Sequence, residues 1–190
     1  MEIIEAPELD LISPFPESQL HRVWGWSRAF SNLNIPDDGP RTKEAFEAYM
    51  KGQLTAALTF GIIDRDGLLG LPNVAPLVGI IVFEPVNTYN GYIHIATSRP
   101  TWGTRMADQA LQTAINYIFT HNPNIQKVSA AIADEYVPAK ALARRLGAKL
   151  EGILEGIAVR DGELMNVAHY GILYSNWKYK PTHVVLRSKV

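Results

Sequence analysis

The alternation of apolar and polar residues along the chain predicts an ordered series of strands and helices. The clearest helix is 105–121, where the apolar positions from Ala107 to Ile118 are spaced by 3, 1, 3, 1 and 3 residues. Helices are predicted at 16–30, 41–53, 105–121 and 137–147, and strands at 9–12, 54–64, 76–85, 91–98, 125–133, 148–159 and 163–177. The resulting order, β-α-α-β-β-β-α-β-α-β-β, is typical of a single mixed α/β domain.

Glycine and proline positions predict where these elements end. Asp161 and Gly162 separate two long alternating runs, which predicts a β-hairpin. Gly147 follows two arginines at the position where a helix commonly ends in a left-handed residue. The near-continuous apolar run at 76–85 is typical of a central strand covered on both faces. Segments rich in proline and glycine predict loops at 32–40, 65–67 and 68–75.

Composition and charge exclude several classes of function. The 190 residues carry 18 basic and 19 acidic side chains and no cysteine. Because there is no basic excess to neutralise phosphates, a nucleic-acid partner is not expected. Without cysteine, a cysteine nucleophile, a thiolate zinc site and a disulfide framework are excluded. The five histidines are scattered along the chain, so no metal site is expected.

The ends of the chain and its apolar runs bear on where the protein works. The acidic N-terminal segment lacks the basic and apolar regions of a signal peptide. No apolar run approaches the ~20 residues of a membrane span. We therefore expect a soluble, cytoplasmic protein with no membrane partner, present as a monomer or a homodimer.

Residues 93–111 form the segment with the most distinctive chemistry. It runs from a predicted strand through a polar turn into the N-terminus of the clearest helix. The unpaired N–H groups and the positive dipole end of a helix N-terminus favour a phosphate. Gly103 would let the backbone approach an anion, and Arg99 and Arg105 flank the turn. An ordinary strand-turn-helix connection is the alternative interpretation, since such patterns are common.

Two parts of the chain resemble one known family. The segment WGTRMADQAL, residues 102–111, resembles the acyl-CoA loop of Gcn5-related N-acetyltransferases (GNAT). The C-terminal part resembles the ribosomal-protein N-terminal acetyltransferase (RimJ/RimL-like) branch, through Leu-Gly, Glu-Gly, Asp-Gly-Glu and a last strand that ends in Trp. The matching positions are Leu146, Gly147, Glu151, Gly152, Asp161, Gly162, Glu163, Tyr170 and Trp177. The resemblance implies one GNAT-like domain at 1–177 and a C-terminal tail at 178–190.

The resemblance also implies a fold and an activity. The fold is a single-domain acyl-CoA N-acyltransferase (GNAT) fold, with a mixed sheet of about six or seven strands and about four helices. The activity is transfer of an acetyl group from acetyl-CoA to a primary amine, such as a protein N-terminus, by direct attack and without a metal. The cofactor would lie between strands 91–98 and 125–133. Its implied contacts are Ile95, Ala96, Thr97, Arg99, Trp102, Gly103, Thr104, Arg105, Met106, Ala107 and Tyr136.

Such a transfer needs a group that takes the proton of the attacking amine. Glu84, at the end of strand 76–85, and His94, in strand 91–98, are the candidate bases. Tyr136 would protonate the departing thiolate, and Asp134 and Glu135 are alternative bases. Each of these side chains also has a plain structural interpretation, as a solvated carboxylate, a packed histidine or a surface tyrosine.

Aromatic residues in the first two predicted helices suggest an acceptor groove. The residues are Trp24, Trp26 and Tyr49, and the resemblance implies that this region walls the site of the amine. Core packing is the alternative interpretation for all three, because aromatic side chains dominate core energetics.

The phosphate loop departs from the family pattern more than the scaffold does. Arg105 replaces the second glycine, and Pro100 occupies the position of the usual Arg or Gln. Tyr136 and Ala139 stand where an Asn-x-x-Ser pattern usually opens the following helix, and Ala148 replaces the Phe of Leu-Gly-Phe. Two alternatives therefore stay open: an inactive GNAT-fold protein that binds CoA or a protein, and an enzyme for small-molecule amines.

Overall fold

The computed structural model describes residues 2–5, 9–29, 42–64, 77–179 and 186–188. Within these residues the chain forms nine strands and four α-helices. The strands are β1 (Glu2–Glu5), β2 (Asp10–Ser13), β3 (Leu58–Ile63), β4 (Leu77–Pro85), β5 (Asn90–Thr97), β6 (Lys127–Ala133), β7 (Lys149–Arg160), β8 (Glu163–Leu173) and β9 (Leu186–Ser188). The helices are α1 (Leu20–Ala29), α2 (Lys43–Ala56), α3 (Met106–His121) and α4 (Val137–Arg145).

All nine strands belong to one sheet in the order β7-β8-β6-β5-β4-β3-β2-β1-β9. Among these strands, β5 and β6 pair in parallel, and the other neighbours pair antiparallel. A parallel pair needs a long crossover, and α3 supplies it between β5 and β6. The two strands that the resemblance placed on either side of the cofactor are therefore neighbours and parallel.

Helices cover both faces of the sheet. The apolar stripe of α3 packs on one face with Ile81 and Phe83 of β4. On the other face, α1 and α2 enclose Ile80 and Val82 of the same strand. Alternate residues of a strand point to opposite faces, which explains why β4 is apolar almost throughout. We call the second face the α1–α2 face, and it carries most of the candidate chemistry.

The predicted fold class is confirmed, with differences at the ends of elements. The described sheet has two strands beyond the seven predicted, because β1 and β9 pair with each other at the β2 edge. Helix α2 continues through Ala56, although the prediction ended it at Gln53 and began a strand at Leu54. Nothing in the residues Leu54 to Ala56 breaks a helix, and the chain turns extended at Ala57. The loops predicted at 32–40, 65–67 and 68–75 lie outside the described residues.

The turn chemistry agrees with the sequence. Asp161 and Gly162 adopt φ of 53° and 81° and join β7 to β8, which is the left-handed pair that a tight hairpin requires. Gly147 has φ of 90° and follows Leu146, the C-cap residue of α4. These positions fix the C-terminal hairpin and the end of the last helix as predicted.

The parallel pair opens into a V. Its register covers three residues of each strand, from Asn90 opposite Lys127 to Tyr92 opposite Ser129. Beyond Tyr92 and Ser129 the two strands no longer pair with each other, although β5 continues to Thr97 and β6 to Ala133. An unpaired strand edge inside a sheet leaves backbone N–H and C=O groups available for a ligand.

Candidate active site

The β5 side of the V presents backbone amides at every second residue. In an antiparallel ladder, alternate residues direct their N–H and C=O groups to opposite neighbours. The Ser98 N–H donates to the Val78 carbonyl at 2.8 Å, and the Asn90 carbonyl accepts from the Val86 N–H at 2.9 Å. Even-numbered residues of β5 therefore face β4. The amides that face the V are those of Ile93, Ile95 and Thr97.

The predicted pantetheine contacts fit this pattern in part. Ile95 and Thr97 direct their amides into the V, whereas the Ala96 amide faces β4. The Ile93 amide also faces the V. Its direction follows from the alternation of backbone groups along β5. At the open end of the V, the Ser98 Oγ is buried without a hydrogen-bond partner among the described residues. A buried hydroxyl without a partner is costly, so Ser98 Oγ is a polar group at this end of the V whose hydrogen bonding the described residues leave unsatisfied.

The open end of the V leads into the loop before α3. Gly103 has φ of 78°, and a Cβ added there would meet no atom within 4 Å. Its amide and that of Ala107 have no hydrogen-bond partner among the described residues. The Met106 N–H is already taken, since it donates to Thr104 Oγ1 at 3.2 Å. Free amides at a helix N-terminus beside open space suit a phosphate group.

Two arginines flank this loop. Arg99 is exposed, and its guanidinium carbon lies 5.8 Å from the centre of the exposed Trp102 ring. Arg105 is the N-cap residue of α3, and its exposed side chain makes no capping bond. Neither guanidinium forms an ion pair with a carboxylate in the described part of the chain. Because no carboxylate among these residues neutralises it, Arg105 adds a positive charge to the loop that carries the free amides.

Glu84 and His94, the two candidate bases, form one hydrogen-bonded pair. The Glu84 Oε2 lies 3.1 Å from the His94 Nε2. Both side chains are on the α1–α2 face, where His94 on β5 pairs with Val82 of β4 and is therefore diagonal to Glu84. The His94 side chain is 50% exposed and that of Glu84 33%. The hydrogen bond from His94 lowers the pKa of Glu84 below its ordinary value, against the opposing effect of partial burial.

Helix α2 contributes two further side chains to this pair. Interaction with the Gln53 side chain lowers the pKa of Glu84 and also opposes the rise in the pKa of Tyr49. Burial, and then the negative charge of Glu84, raise the pKa of Tyr49 above its ordinary value. Tyr49 was predicted as an acceptor-groove residue, and the structure places it beside the candidate base. The sequence does not single out Gln53, because its position near Glu84 depends on how α2 packs against β4.

A second hydrogen-bonded pair lies on the same face. The Tyr92 Oη is 3.2 Å from the His169 Nδ1, and the two rings meet edge to face with centroids 5.9 Å apart. Tyr92 is directly opposite Glu84 in the β4–β5 ladder. His169 pairs with Ala131 of β6. Tyr92 was identifiable from its alternation with His94, but the position of His169 depends on the β6–β8 register.

The remaining polar candidates lie at the far end of β6. Tyr136 is the N-cap residue of α4 and is half-buried, and burial raises its pKa. Asp134 binds Lys140 at 2.8 Å, and Glu135 binds Arg160 at 2.6 Å. The two carboxylates therefore hold neighbouring elements together. Tyr136 follows the last residue of β6 and therefore lies at the open end of the V, whereas the V closes at Tyr92 and Ser129.

The two tryptophans of α1 pack against the core beneath the α1–α2 face. Trp24 lies 5.3 Å from Phe46 of α2, centre to centre. Trp26 is partly buried, and Arg22 lies 5.7 Å from the centre of its ring. These contacts agree with the core-packing interpretation, and Tyr49 is the aromatic of the predicted set that is exposed next to the base.

Sequence comparison decides the family. The profile described as "Acetyltransferase (GNAT) domain" matches residues 12–149, which include the V, the loop before α3 and both base candidates. The chain belongs to the GNAT acetyltransferase family. A search of curated proteins finds no significant match. Within the described residues of this GNAT protein, no helix has the length and apolarity needed to cross a membrane, and no cluster of side chains has a metal-binding arrangement.

Solved structures share the fold. The acetyltransferase that modifies the N-terminal serine of L7/L12 in Salmonella typhimurium is 20% identical, with a TM-score of 0.71 over 90% of this chain and 98% of that one. Ribosomal-protein-S5-alanine acetyltransferase from Vibrio fischeri is 13% identical, with a TM-score of 0.72 over 93% and 98%. Mycobacterium smegmatis RimJ in complex with CoA-disulfide is 14% identical, with a TM-score of 0.73 over 94% and 90%.

Proposed function

We propose that this GNAT protein transfers the acetyl group of acetyl-CoA to a primary amine by direct attack. The observation that carries the proposal is the Glu84–His94 pair beside the V between β5 and β6. The V offers backbone donors, the loop before α3 offers an anion site, and the pair offers a base. These are the three requirements of acyl transfer from a phosphate-bearing thioester.

Binding of the pyrophosphate at the loop before α3 would orient acetyl-CoA in the V. The free amides of Gly103 and Ala107, with Arg99 and Arg105, would hold the pyrophosphate at the open end of the V. The extended arm of the donor would then follow β5 toward the closed end at Tyr92. From Thr97 to Tyr92 the strand spans about 17 Å, five residues at ~3.3 Å each. The reactive end would therefore lie in the closed half of the V, near His94.

His94 is the group that we propose takes the proton of the amine. It lies on β5, which lines the V, whereas Glu84 lies one strand further away. When the Nε2–H of His94 donates to Glu84, the Nδ1 carries the lone pair, and Nδ1 has no partner among the described residues. Glu84 then orients the ring and stabilises the imidazolium that forms. The amide of Ile93 or Ile95 is placed to stabilise negative charge on the acetyl oxygen.

The acceptor would approach on the α1–α2 face. Tyr49 and Gln53 of α2 border the base there, and the negative charge of Glu84 attracts an ammonium group. Two solved neighbours act on ribosomal proteins according to their descriptions, so a protein N-terminus is our first choice of acceptor. A small-molecule amine is the second choice, because the border of the site is exposed at Tyr49, 51% of whose surface is accessible.

Calorimetric titration of acetyl-CoA into the protein tests the first half of the proposal. We expect micromolar binding for the wild-type chain, and weaker binding when Gly103 is replaced by valine, because a branched side chain at a positive φ distorts the loop. Gly162→Val, which makes the same change in the β7–β8 turn, is the matched control for a general loss of stability. No binding at millimolar acetyl-CoA would overturn the proposal and leave a GNAT fold without its donor.

A further inference from the structure

The Tyr92–His169 pair has no part in the function proposed so far. It rests on the same V, and the inference that follows depends on acetyl-CoA binding there. Tyr92 belongs to the last residue pair of β5 and β6 before the strands separate. Its ring reaches from β5 across β6 to His169 on β8. The Tyr92 hydroxyl therefore lies on the α1–α2 face beside the closed end of the V, where its partner His169 is in register with Ala131 of β6.

Small side chains make this reach possible. Ser129 and Ala131 are the β6 residues on this face between Tyr92 and His169. The Ser129 hydroxyl is turned aside, since it donates to the Asn90 Oδ1 at 3.0 Å. Among the described residues, the titratable groups around Tyr92 on this face are Glu84 and His94, with Tyr49 of α2 beside Glu84, and His169 on the far side of β6. Two hydrogen-bonded pairs thus stand on either side of the closed end of the V.

We propose that Tyr92 is the group that protonates the departing CoA sulfur, and that His169 is its positioning residue. Glu84 and His94 are assigned to the proton of the amine. A phenol, with an ordinary pKa of about 10 against about 8.5 for a thiol, is a somewhat weaker acid than the thiol that it would protonate. When the Nδ1–H of His169 donates to the Tyr92 oxygen, the Tyr92 O–H is free to point into the V. This places the acid at the closed end of the V, whereas the sequence analysis assigns the role to Tyr136, which follows the far end of β6.

The proton balance closes. The carbon–nitrogen bond forms and the carbon–sulfur bond breaks. The acceptor attacks as the neutral amine, after its ammonium proton has passed to solvent. The proton that the amine loses on forming the amide moves to His94, and the Tyr92 proton moves to the sulfur. Return of one proton from His94 to Tyr92, through water or through His169, restores the resting enzyme.

Titration of the thiol of bound CoA tests the assignment without turnover. The thiolate absorbs in the ultraviolet, and the complex with desulfo-CoA supplies the blank for protein tyrosines. A hydrogen bond to a charged group stabilises the thiolate, so Tyr92→Phe should raise the pKa of the bound thiol by about 1–2. Tyr89→Phe, at an exposed turn tyrosine, is the matched control and should leave that pKa unchanged. His169→Ala should shift it in the same direction as Tyr92→Phe, by less.

Steady-state kinetics give the second readout. Tyr92→Phe should lower kcat for acetyl transfer by about 10²-fold, at the low end of the range for general acid–base catalysis, with little change in the KM for acetyl-CoA. If CoA binds but the thiol pKa and kcat are the same in Tyr92→Phe as in wild type, the assignment is wrong and the proposed function stands. If CoA does not bind to the wild-type chain, both are wrong.

Discussion

Replacing Glu84 and His94 separately and together tests which of the two takes the proton of the attacking amine. The changes are Glu84→Gln and His94→Gln. Glutamine at 84 keeps an oxygen acceptor for the His94 N–H but removes the negative charge. Glutamine at 94 keeps an N–H for Glu84 but removes the basic nitrogen. Each change is close in size, so the fold should persist.

The magnitude for Glu84 follows from the geometry. Two unit charges 3.1 Å apart attract by about 1.3 kcal/mol in water and by about 5 kcal/mol at an effective dielectric constant of ~20. The side chains are 50% and 33% exposed, which favours the lower part of this range. A hydrogen bond to a charged group contributes about 1.5–3 kcal/mol. Glu84→Gln should therefore lower kcat/KM by about 10- to 150-fold.

The expected loss for His94 is larger. Removal of the base itself costs about 10²- to 10⁴-fold. Because the two residues act as one unit, the double variant should lose little more than His94→Gln alone. The assay follows CoA release with saturating amine, and His21→Gln and Glu163→Gln are the matched controls at exposed positions away from the site. A greater loss in Glu84→Gln than in His94→Gln would refute the reasoning and make Glu84 the base.

Three further predictions concern the loop, the ion pairs and pH. Arg105→Ala should weaken acetyl-CoA binding by about 3- to 10-fold in calorimetry, as expected for one exposed charged contact; tighter binding would show that Arg105 blocks the loop. Asp108→Asn should lower the melting temperature slightly, because it weakens the paired 2.8 and 3.0 Å bonds with Arg145 that join α3 to α4; an exposed pair contributes only about 0.2–1 kcal/mol. Because its pKa is lower in the folded chain, ionised Glu84 should stabilise the fold above pH ~4.5, and this contribution should disappear as the pH falls through the folded pKa. The free energies of unfolding of wild type and Glu84→Gln should therefore converge in acid. A difference that widens in acid would contradict the sign.

The sequence predicted the scaffold well because its signals are local. The stripe of α3 and the Asp161-Gly162 turn depend on spacing and on backbone conformation within a few residues. Both base candidates were also identifiable, since each has the chemistry of a base at a strand position. That they touch was not, because the contact depends on the β4–β5 register.

Long-range geometry explains what the sequence did not reveal. His169 meets Tyr92 across 77 positions of chain and three strands, and no spacing rule reports such a contact. The V arises because β5 and β6 stop pairing with each other after Tyr92, and the alternation of apolar and polar residues along a strand does not show where pairing stops. The ion pair of Glu135 with Arg160 likewise depends on how β7 lies beside the β6–α4 turn.

Acetyl transfer measured by mass is the most direct test of the central claim. The wild-type chain is incubated with acetyl-CoA and a panel of N-terminal peptides and small primary amines, and the products are weighed by mass spectrometry. The account predicts an acceptor that gains one acetyl group in the wild-type reaction, with the rate lowered about 10²- to 10⁴-fold in His94→Gln. Equal acetylation by wild type and His94→Gln, or none by a wild-type chain that binds acetyl-CoA, would contradict it.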